Sequence, residues 1–132
     1  SGVCSGEIAL DPQRAAKRAA KGKDVILVRN DAETNDIAAL EQSVGLLTRN
    51  GARTSHAAVV ARQLGKVCLV GCETLRIDSS DGSIQLGELT LREGDTLTLD
   101  GNQGLVYQGY IATVREPDQQ VIERLGQLRK GK

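Results

Sequence analysis

The chain has 132 residues, with 17 basic and 17 acidic side chains, two tyrosines and no Phe, Trp or Met. Balanced charge gives no reason to predict a positive field that would gather nucleic acid, and two aromatic side chains are too few to stack bases. No apolar run reaches the roughly 20 residues needed to cross a bilayer, so we expect neither a membrane nor a nucleic-acid partner. The lack of a signal peptide and the odd number of cysteines indicate a cytoplasmic, reducing compartment.

The first part of the chain alternates between strand-like and helix-like segments. Residues Cys4–Leu10 predict a short strand, and Asp11 is expected to cap a helix with Pro12 at its first position and Gly22 at its end. The β-branched run Asp24–Arg29 is typical of a strand that is covered on both faces. This alternation predicts an α/β fold.

A second helix is predicted from a cap at Thr34 to a stop at Gly45, with Ile37, Leu40 and Val44 on its inner face. The short strand "GLLT" follows, and then a third helix. The inner face of that third helix is expected to comprise Ala57, Val60, Ala61 and Leu64 within Ser55–Leu64, before a left-handed stop at Gly65. The run "KVCLVG" predicts the next buried strand.

The second half of the chain changes to strands and turns. "DSSDGS" and "DGNQG" are turn clusters, and the second is expected to join "TLTL" and "GLVYQG" into a hairpin. In the polar tail, one helical stripe carries Val121, Ile122, Leu125 and Leu128. We therefore predict one domain over residues 1–115 and a C-terminal linker helix over residues 116–132.

His56 is the only histidine, and it lies in the first turn of the third predicted helix. The first amide N–H groups of a helix and its dipole together form a site for an anion. Thr54 and Ser55 add hydroxyl donors, and Arg53 adds a guanidinium suited to phosphate oxygens. This set of residues is what a histidine that accepts a phosphoryl group requires.

Other chemistries fit the same residues less well. Ser55 and His56 are adjacent, so they cannot face each other as nucleophile and base. "LGKV" lacks both the earlier glycine and the following hydroxyl residue of a phosphate-binding loop. Cys68 and Cys72 lie in a strand-like run without the spacing of a zinc knuckle, so we expect core side chains and no metal site.

The segment "GARTSHAAVVARQLGKVCLVGC" resembles the phosphohistidine segment of the enzymes that use phosphoenolpyruvate: pyruvate phosphate dikinase, phosphoenolpyruvate synthase and enzyme I of the sugar phosphotransferase system. The resemblance extends to "DVILVRNDAETNDI" and "LREGDTLTLDGNQGLVYQG", hence to most of the chain. "AAVVAR" and "GC" are more similar to the dikinase, whereas Arg53 matches the synthase and enzyme I. Ala52 stands where the family usually has glycine, and Asn35 where proline is common.

The resemblance implies a swivelling three-layer β/β/α phosphohistidine domain. It implies that His56 carries the phosphoryl group, that Thr54 and Ser55 bind the phosphate and that Arg53 compensates its charge. It also makes Thr54 a candidate for regulatory phosphorylation.

The implied partners are an ATP-binding domain and a barrel that binds pyruvate or phosphoenolpyruvate. ATP and Mg²⁺ are expected in those domains, with no cofactor bound by this one. The implied reaction interconverts ATP and pyruvate, with phosphate or water, and phosphoenolpyruvate, and this domain alone would not complete it. Two alternatives remain: a binding or regulatory module with the same fold but no transfer, and the carrier domain of an enzyme I-type or antibiotic-modifying phosphotransferase.

Overall fold

The computed structural model of the chain describes residues 2–51, 56–109 and 121–124. These residues form a helix layer, a seven-stranded sheet and a three-stranded sheet, stacked in that order. The helices are α1 (Pro12–Ala20), α2 (Asp36–Leu40) and α3 (His56–Gln63). The strands in chain order are β1 (Val3–Ala9), β2 (Val25–Arg29), β3 (Gly45–Thr48), β4 (Val67–Leu69), β5 (Leu75–Asp78), β6 (Ser83–Leu86), β7 (Leu89–Arg92), β8 (Thr96–Asp100), β9 (Leu105–Gln108) and β10 (Val121–Arg124).

The large sheet has the strand order β10-β9-β8-β1-β2-β3-β4, and the small sheet has the order β5-β6-β7. Strands β1 to β4 are parallel to one another, while β8, β9 and β10 pair antiparallel. Each helix follows one of the parallel strands. All three helices therefore begin at the edge where those strands end, which we call the carboxyl edge.

One face of the large sheet packs against the helices. Its side chains are aliphatic, and most of the helix side chains that meet them are alanines, so the helices can lie close to the sheet. The buried members are Ala9, Val25, Leu27 and Leu46 from the strands and Ala15, Ala39, Leu40, Ala57 and Ala61 from the helices.

The other face of the large sheet packs against the small sheet. Successive strand residues point to opposite faces of a sheet. The strand residues that alternate with those facing the helices therefore supply this second core. Its largest part comprises Ile8, Ile26, Val28, Leu47, Leu97 and Leu99 from the large sheet and Leu75, Ile84, Leu86 and Leu91 from the small one. The β/β/α arrangement expected from the sequence is confirmed.

The large sheet curls at the end opposite the carboxyl edge. Strand β1 pairs with β2 only from Glu7 onward, whereas its first residues pair with β8. A Cβ atom at Gly45 in β3 would lie 2.8 Å from Sγ of Cys4 and 3.1 Å from Cδ1 of Leu99. Since β2 lies between β1 and β3 in the sheet, this contact requires the start of β1 to bend across the sheet face.

Several local predictions are confirmed. Asp11 caps α1, where its Oδ1 accepts a hydrogen bond from the Arg14 amide at 2.7 Å. Gly65 follows α3 with a φ of +78°. The amide of Lys66 donates to the carbonyl of Ala61 at 2.9 Å, which is the hydrogen bond of a helix that ends in a left-handed glycine. The "DGNQG" segment joins β8 and β9 as a hairpin.

The second helix is shorter than predicted. It begins after Asn35 rather than with a Thr34 side-chain cap, and it ends at Leu40. The amide of Val44 already donates to the carbonyl of Val25 at 2.7 Å, so the backbone joins the sheet before Gly45. Gly45 is therefore the first residue of β3 and not a helix stop.

The inner face of α3 also differs from the prediction. Leu64 is 40% exposed, and Ala58 is fully buried. The helix ends at Gln63, and the turn into Gly65 directs Leu64 away from the core.

In the tail, Val121–Arg124 form β10, a strand paired with β9, so the prediction of a helix is wrong for these residues. Their backbone hydrogen bonds are made with β9 in the sheet and not within a helix. The remainder of residues 116–132 lies outside the described residues, and the boundary at 115 stays a prediction.

None of the described helices has the length and apolarity that crossing a bilayer would require.

Candidate functional site

His56 is the first residue of α3, and its side chain is exposed at the carboxyl edge. The next two residues, Ala57 and Ala58, are buried beneath it. Their small side chains fix the first turn of α3 against the sheet without covering the imidazole. The imidazole of His56 is therefore exposed to solvent, while the first turn of α3 that carries it is packed against the sheet.

The start of an α-helix is also an electropositive place. Its first amide N–H groups have no partners within the helix, and the dipole adds about half a positive charge at that end. In α3 the first turn contains no acidic residue that would oppose this charge. An anionic group held at His56 would therefore meet a favourable field.

Hydrogen bonds hold the backbone at the end of β3, up to Gly51. Oγ1 of Thr48, a buried side chain, donates to the carbonyl of Asn50 at 2.5 Å. The carbonyl of Thr48 accepts a hydrogen bond from the amide of Cys72 at 3.0 Å. Gly51 has a φ of +110°, a conformation that disfavours other residues, so the chain turns sharply there.

A buried ion pair lies at the same edge. Asp36 in the first turn of α2 is fully buried, and its Oδ2 accepts from Nε of Arg29 at 3.1 Å and from the Glu33 amide at 2.7 Å. Nη1 of Arg29 donates to the carbonyl of Leu10 at 2.8 Å. The end of β2 is thereby linked to the end of β1 and to the start of α2.

Arg53, Thr54 and Ser55, predicted to bind phosphate, lie outside the described residues, as does Ala52. Among the described residues, no group of three or more His, Cys, Asp or Glu side chains could hold a metal ion. Burial raises the pKa of the Cys4 thiol to about 12 and also raises that of Cys68, so neither is a thiolate at neutral pH. Cys72 is fully buried.

The sequence interpretation missed Arg29 and Asp36. The two residues are separated by the loop between β2 and α2, so no helical or strand periodicity connects them. The available signal was a charged residue at the end of a buried strand, followed by a carboxylate at the start of the next helix.

The described structure can be compared with known proteins. The family model "PEP-utilising enzyme, mobile domain" matches residues 21–104. Pyruvate, phosphate dikinase of Entamoeba histolytica is 41% identical over 110 residues, which are 83% of this chain and 12% of that protein. The protein of the same name from Giardia intestinalis is 37% identical over 113 residues, which are 86% of this chain and 13% of that protein.

A solved structure, the NMR solution structure of the Enzyme I (nEIt) protein, aligns with a TM-score of 0.48 and 27% identity, over 67% of this chain and 32% of that one. The chain spans 12 to 13% of the length of the two dikinases named above. Both the family match and these identities extend across the segment that contains His56. The chain belongs to the mobile-domain family of the PEP-utilising enzymes.

Proposed function

We propose that the chain is a phosphoryl-carrier domain in which His56 accepts a phosphoryl group at one active centre and delivers it at another. The observation that carries this proposal is the position of the only histidine in the chain, exposed at the first residue of α3. A nucleophile that visits two separate centres must project from the surface.

The chemical step needs an unprotonated imidazole nitrogen. That nitrogen attacks phosphorus, the bond from phosphorus to the leaving oxygen breaks, and the leaving group keeps the electron pair. At the second centre, an acceptor oxygen attacks the same phosphorus and the imidazole leaves with the electron pair of the nitrogen–phosphorus bond. The positive end of α3 lowers the energy of the charged phosphoryl oxygens in both steps.

Arg53, Thr54 and Ser55 complete the proposal. The hydroxyl groups of Thr54 and Ser55 would donate to phosphoryl oxygens, and the guanidinium of Arg53 would balance their charge. Thr54 is also proposed as a regulatory phosphorylation site, because a second phosphate beside His56 would repel the first.

The reaction we propose is the interconversion of ATP and pyruvate, with phosphate or water, and phosphoenolpyruvate. It is supported by the names of the relatives from Entamoeba histolytica and Giardia intestinalis, both pyruvate, phosphate dikinase. The partners would be an ATP-binding domain and a barrel that binds pyruvate or phosphoenolpyruvate, with ATP and Mg²⁺ bound in those domains. We also propose a cytoplasmic location, because an odd number of cysteines suits a reducing compartment.

The test incubates the chain and a phosphoenolpyruvate-binding barrel of the family, in the same polypeptide or as a partner chain, with phosphoenolpyruvate labelled in its phosphoryl group. We expect one phosphoryl group per chain, stable to base, released by acid and mapped to His56 by mass spectrometry. His56→Ala should abolish labelling. Gln63→Ala, at an exposed position of the same helix, is the matched control and should retain it.

His56→Ala should unfold at the same urea concentration as the wild type, within experimental error, because the side chain is exposed. Label that survives acid and maps to Thr54 or Ser55 would contradict the carrier role of His56. Absence of any label, with both partner domains active on their own substrates, would favour a binding or regulatory module.

A further inference from the structure

A strongly basic surface lies on α1, at the opposite end of the helix layer from His56. Arg14, Lys17, Arg18 and Lys21 recur at helical spacing and share one side of α1, and Lys23 follows the next turn. These five cations line a shallow cleft together with Glu7 and Glu93. We call this surface the basic face.

The two carboxylates of the basic face are already engaged. Oε1 of Glu93 accepts from Nη1 of Arg14 at 2.6 Å, and its Oε2 accepts from the Leu10 amide at 2.9 Å. Oε1 of Glu7 accepts from Nη1 of Arg18 at 2.9 Å, and Nζ of Lys23 lies 3.6 Å from its Oε2. These contacts hold the two guanidinium groups beside Glu7 and Glu93.

Unlike Arg14 and Arg18, Lys17 and Lys21 are not paired with a carboxylate of the described residues. Within the described part of the chain neither makes an ion pair, and both are exposed. Helix α1 itself contains no acidic residue. Because the whole chain has a formal net charge of zero, this positive excess is local and not a general property of the chain.

The chemistry of the basic face distinguishes between classes of partner. A helix that inserts into a lipid surface needs a free apolar side, but the apolar side of α1 is the buried one, with Ala15 fully enclosed, so only electrostatic attraction to lipid would remain. A nucleic acid would gain little from a chain of zero net charge, and Tyr107 is the only aromatic side chain among the described residues. A polypeptide with clustered Asp and Glu can place one carboxylate beside each of the two separate ammonium groups of Lys17 and Lys21.

We propose that the basic face is a docking surface for an acidic polypeptide segment or domain. Lys17 and Lys21 make the contacts, and Arg14 and Arg18, held by Glu93 and Glu7, supply a fixed background of positive charge. Such contacts mainly raise the rate of encounter and select the partner, so they weaken as salt increases. The proposal does not depend on phosphoryl transfer, because α2 packs between α1 and α3 in the helix layer.

The experiment measures binding of poly-L-glutamate to the 132-residue chain by isothermal titration calorimetry at low ionic strength. We expect saturable binding that weakens by about tenfold or more when salt is raised to about 0.15 M. Lys17→Glu/Lys21→Glu should weaken binding at low salt by at least about tenfold. Circular dichroism melting must first show that the variant is folded.

The matched control is Arg76→Glu/Arg92→Glu, which changes the net charge equally at two exposed positions of the small sheet. It should bind poly-L-glutamate within about twofold of the wild type. Equal loss in both variants would show a response to net charge alone and would overturn the proposal. Tighter binding of duplex DNA or of phosphatidylserine vesicles than of poly-L-glutamate, abolished by Lys17→Glu/Lys21→Glu, would also overturn it.

Discussion

The carboxylate of Asp36 accepts a hydrogen bond from the guanidinium of Arg29 at 3.1 Å, although Asp36 is fully buried. The same carboxylate oxygen accepts from the amide of Glu33, while the other oxygen, Oδ1, has no hydrogen-bond partner among the residues that the structure describes. A buried carboxylate with one unpaired oxygen costs free energy, and the contacts to Arg29 and Glu33 must offset that cost. The stability of the fold therefore depends on the interaction between Asp36 and Arg29.

The first prediction concerns this pair. Asp36→Ala should lower the free energy of unfolding by about 3 kcal/mol, because it leaves the Arg29 guanidinium and the Glu33 amide without their partner. Urea denaturation measures the change. Asp31→Ala is the control: the Asp31 carboxylate is exposed and its hydrogen bond from Asn50 is long, at 3.4 Å, so little change is expected. Equal effects of the two substitutions would contradict a special role for Asp36.

The second prediction concerns the curl of the large sheet. Gly45→Ala should destabilise the fold by about 2 kcal/mol, because the new Cβ would lie 2.8 Å from Sγ of Cys4 and 3.1 Å from both Cδ1 of Leu99 and the carbonyl oxygen of Val67. Thermal melting and urea denaturation would both detect a change of this size. A variant as stable as wild type would mean that the start of β1 lies farther from β3.

The third prediction separates the contributions to that crowding. In a Cys4→Ala background the sulfur atom is gone, so Gly45→Ala should cost about 1 kcal/mol less than it does in the wild type. Contacts to Leu99 and Val67 remain, so the relief should be incomplete. The double-mutant cycle needs all four proteins under the same conditions. Strictly additive effects would show that Cys4 and Gly45 do not touch.

The fourth prediction concerns the end of α3. Gly65 has a φ of +78°, and a Cβ there would meet no atom of the described residues within 4 Å, so we expect the cost of substitution to come from the backbone. Gly65→Val should destabilise by about 1 kcal/mol or more, since β-branched residues rarely adopt positive φ. Gly65→Asn, which tolerates this conformation, should cost clearly less. The order of the urea midpoints checks the prediction, and a reversed order would refute it.

The fifth prediction concerns alkaline pH. Burial, with a smaller contribution from the charge of Asp24, raises the pKa of Cys4 from its ordinary value of 9.0 to about 12 against a lowering hydrogen bond with Leu99. Between these values the folded chain binds more protons than the unfolded chain, so the free energy of unfolding falls as pH rises. The contribution is fully present below pH 9.0.

Cys4→Ala removes this titration while leaving Tyr107 and the lysines unchanged. The stability difference between wild type and Cys4→Ala should therefore stay constant from neutral pH to about pH 9.0 and then shrink as urea unfolding is repeated up to about pH 11. A difference that stays constant over that range would show that the Cys4 thiol titrates normally in the folded chain.

Much of the fold could be predicted from local patterns. Asp11 followed by Pro12 identifies the start of α1, and Gly65 identifies the end of α3, because each satisfies a local backbone requirement that few residues can meet. The family resemblance of the His56 segment is confirmed by the family match. Its implied three-layer order agrees with the two cores on either side of the large sheet.

Other elements are decided by tertiary contacts that no local pattern contains. Local sequence predicts that Gly45 ends a helix, but in the structure Gly45 is the first residue of β3. A glycine is needed there because a side chain would collide with Sγ of Cys4. Val121–Arg124 have a helical apolar spacing, but pairing with β9 makes them a strand. The role of His56 stays a prediction that the labelling experiment tests, and the roles of Arg53, Thr54 and Ser55 stay predictions.

The order of the helix layer has a consequence for avidity. Since α2 separates α1 from α3, a partner that covers Lys17 and Lys21 leaves His56 accessible, and both surfaces can be occupied at once. If one polypeptide carried both binding partners, the second contact would form intramolecularly, at an effective concentration in the millimolar range for a short flexible linker. A weak interaction at each surface would then be enough to hold the chain near such a polypeptide and still allow it to dissociate from either surface.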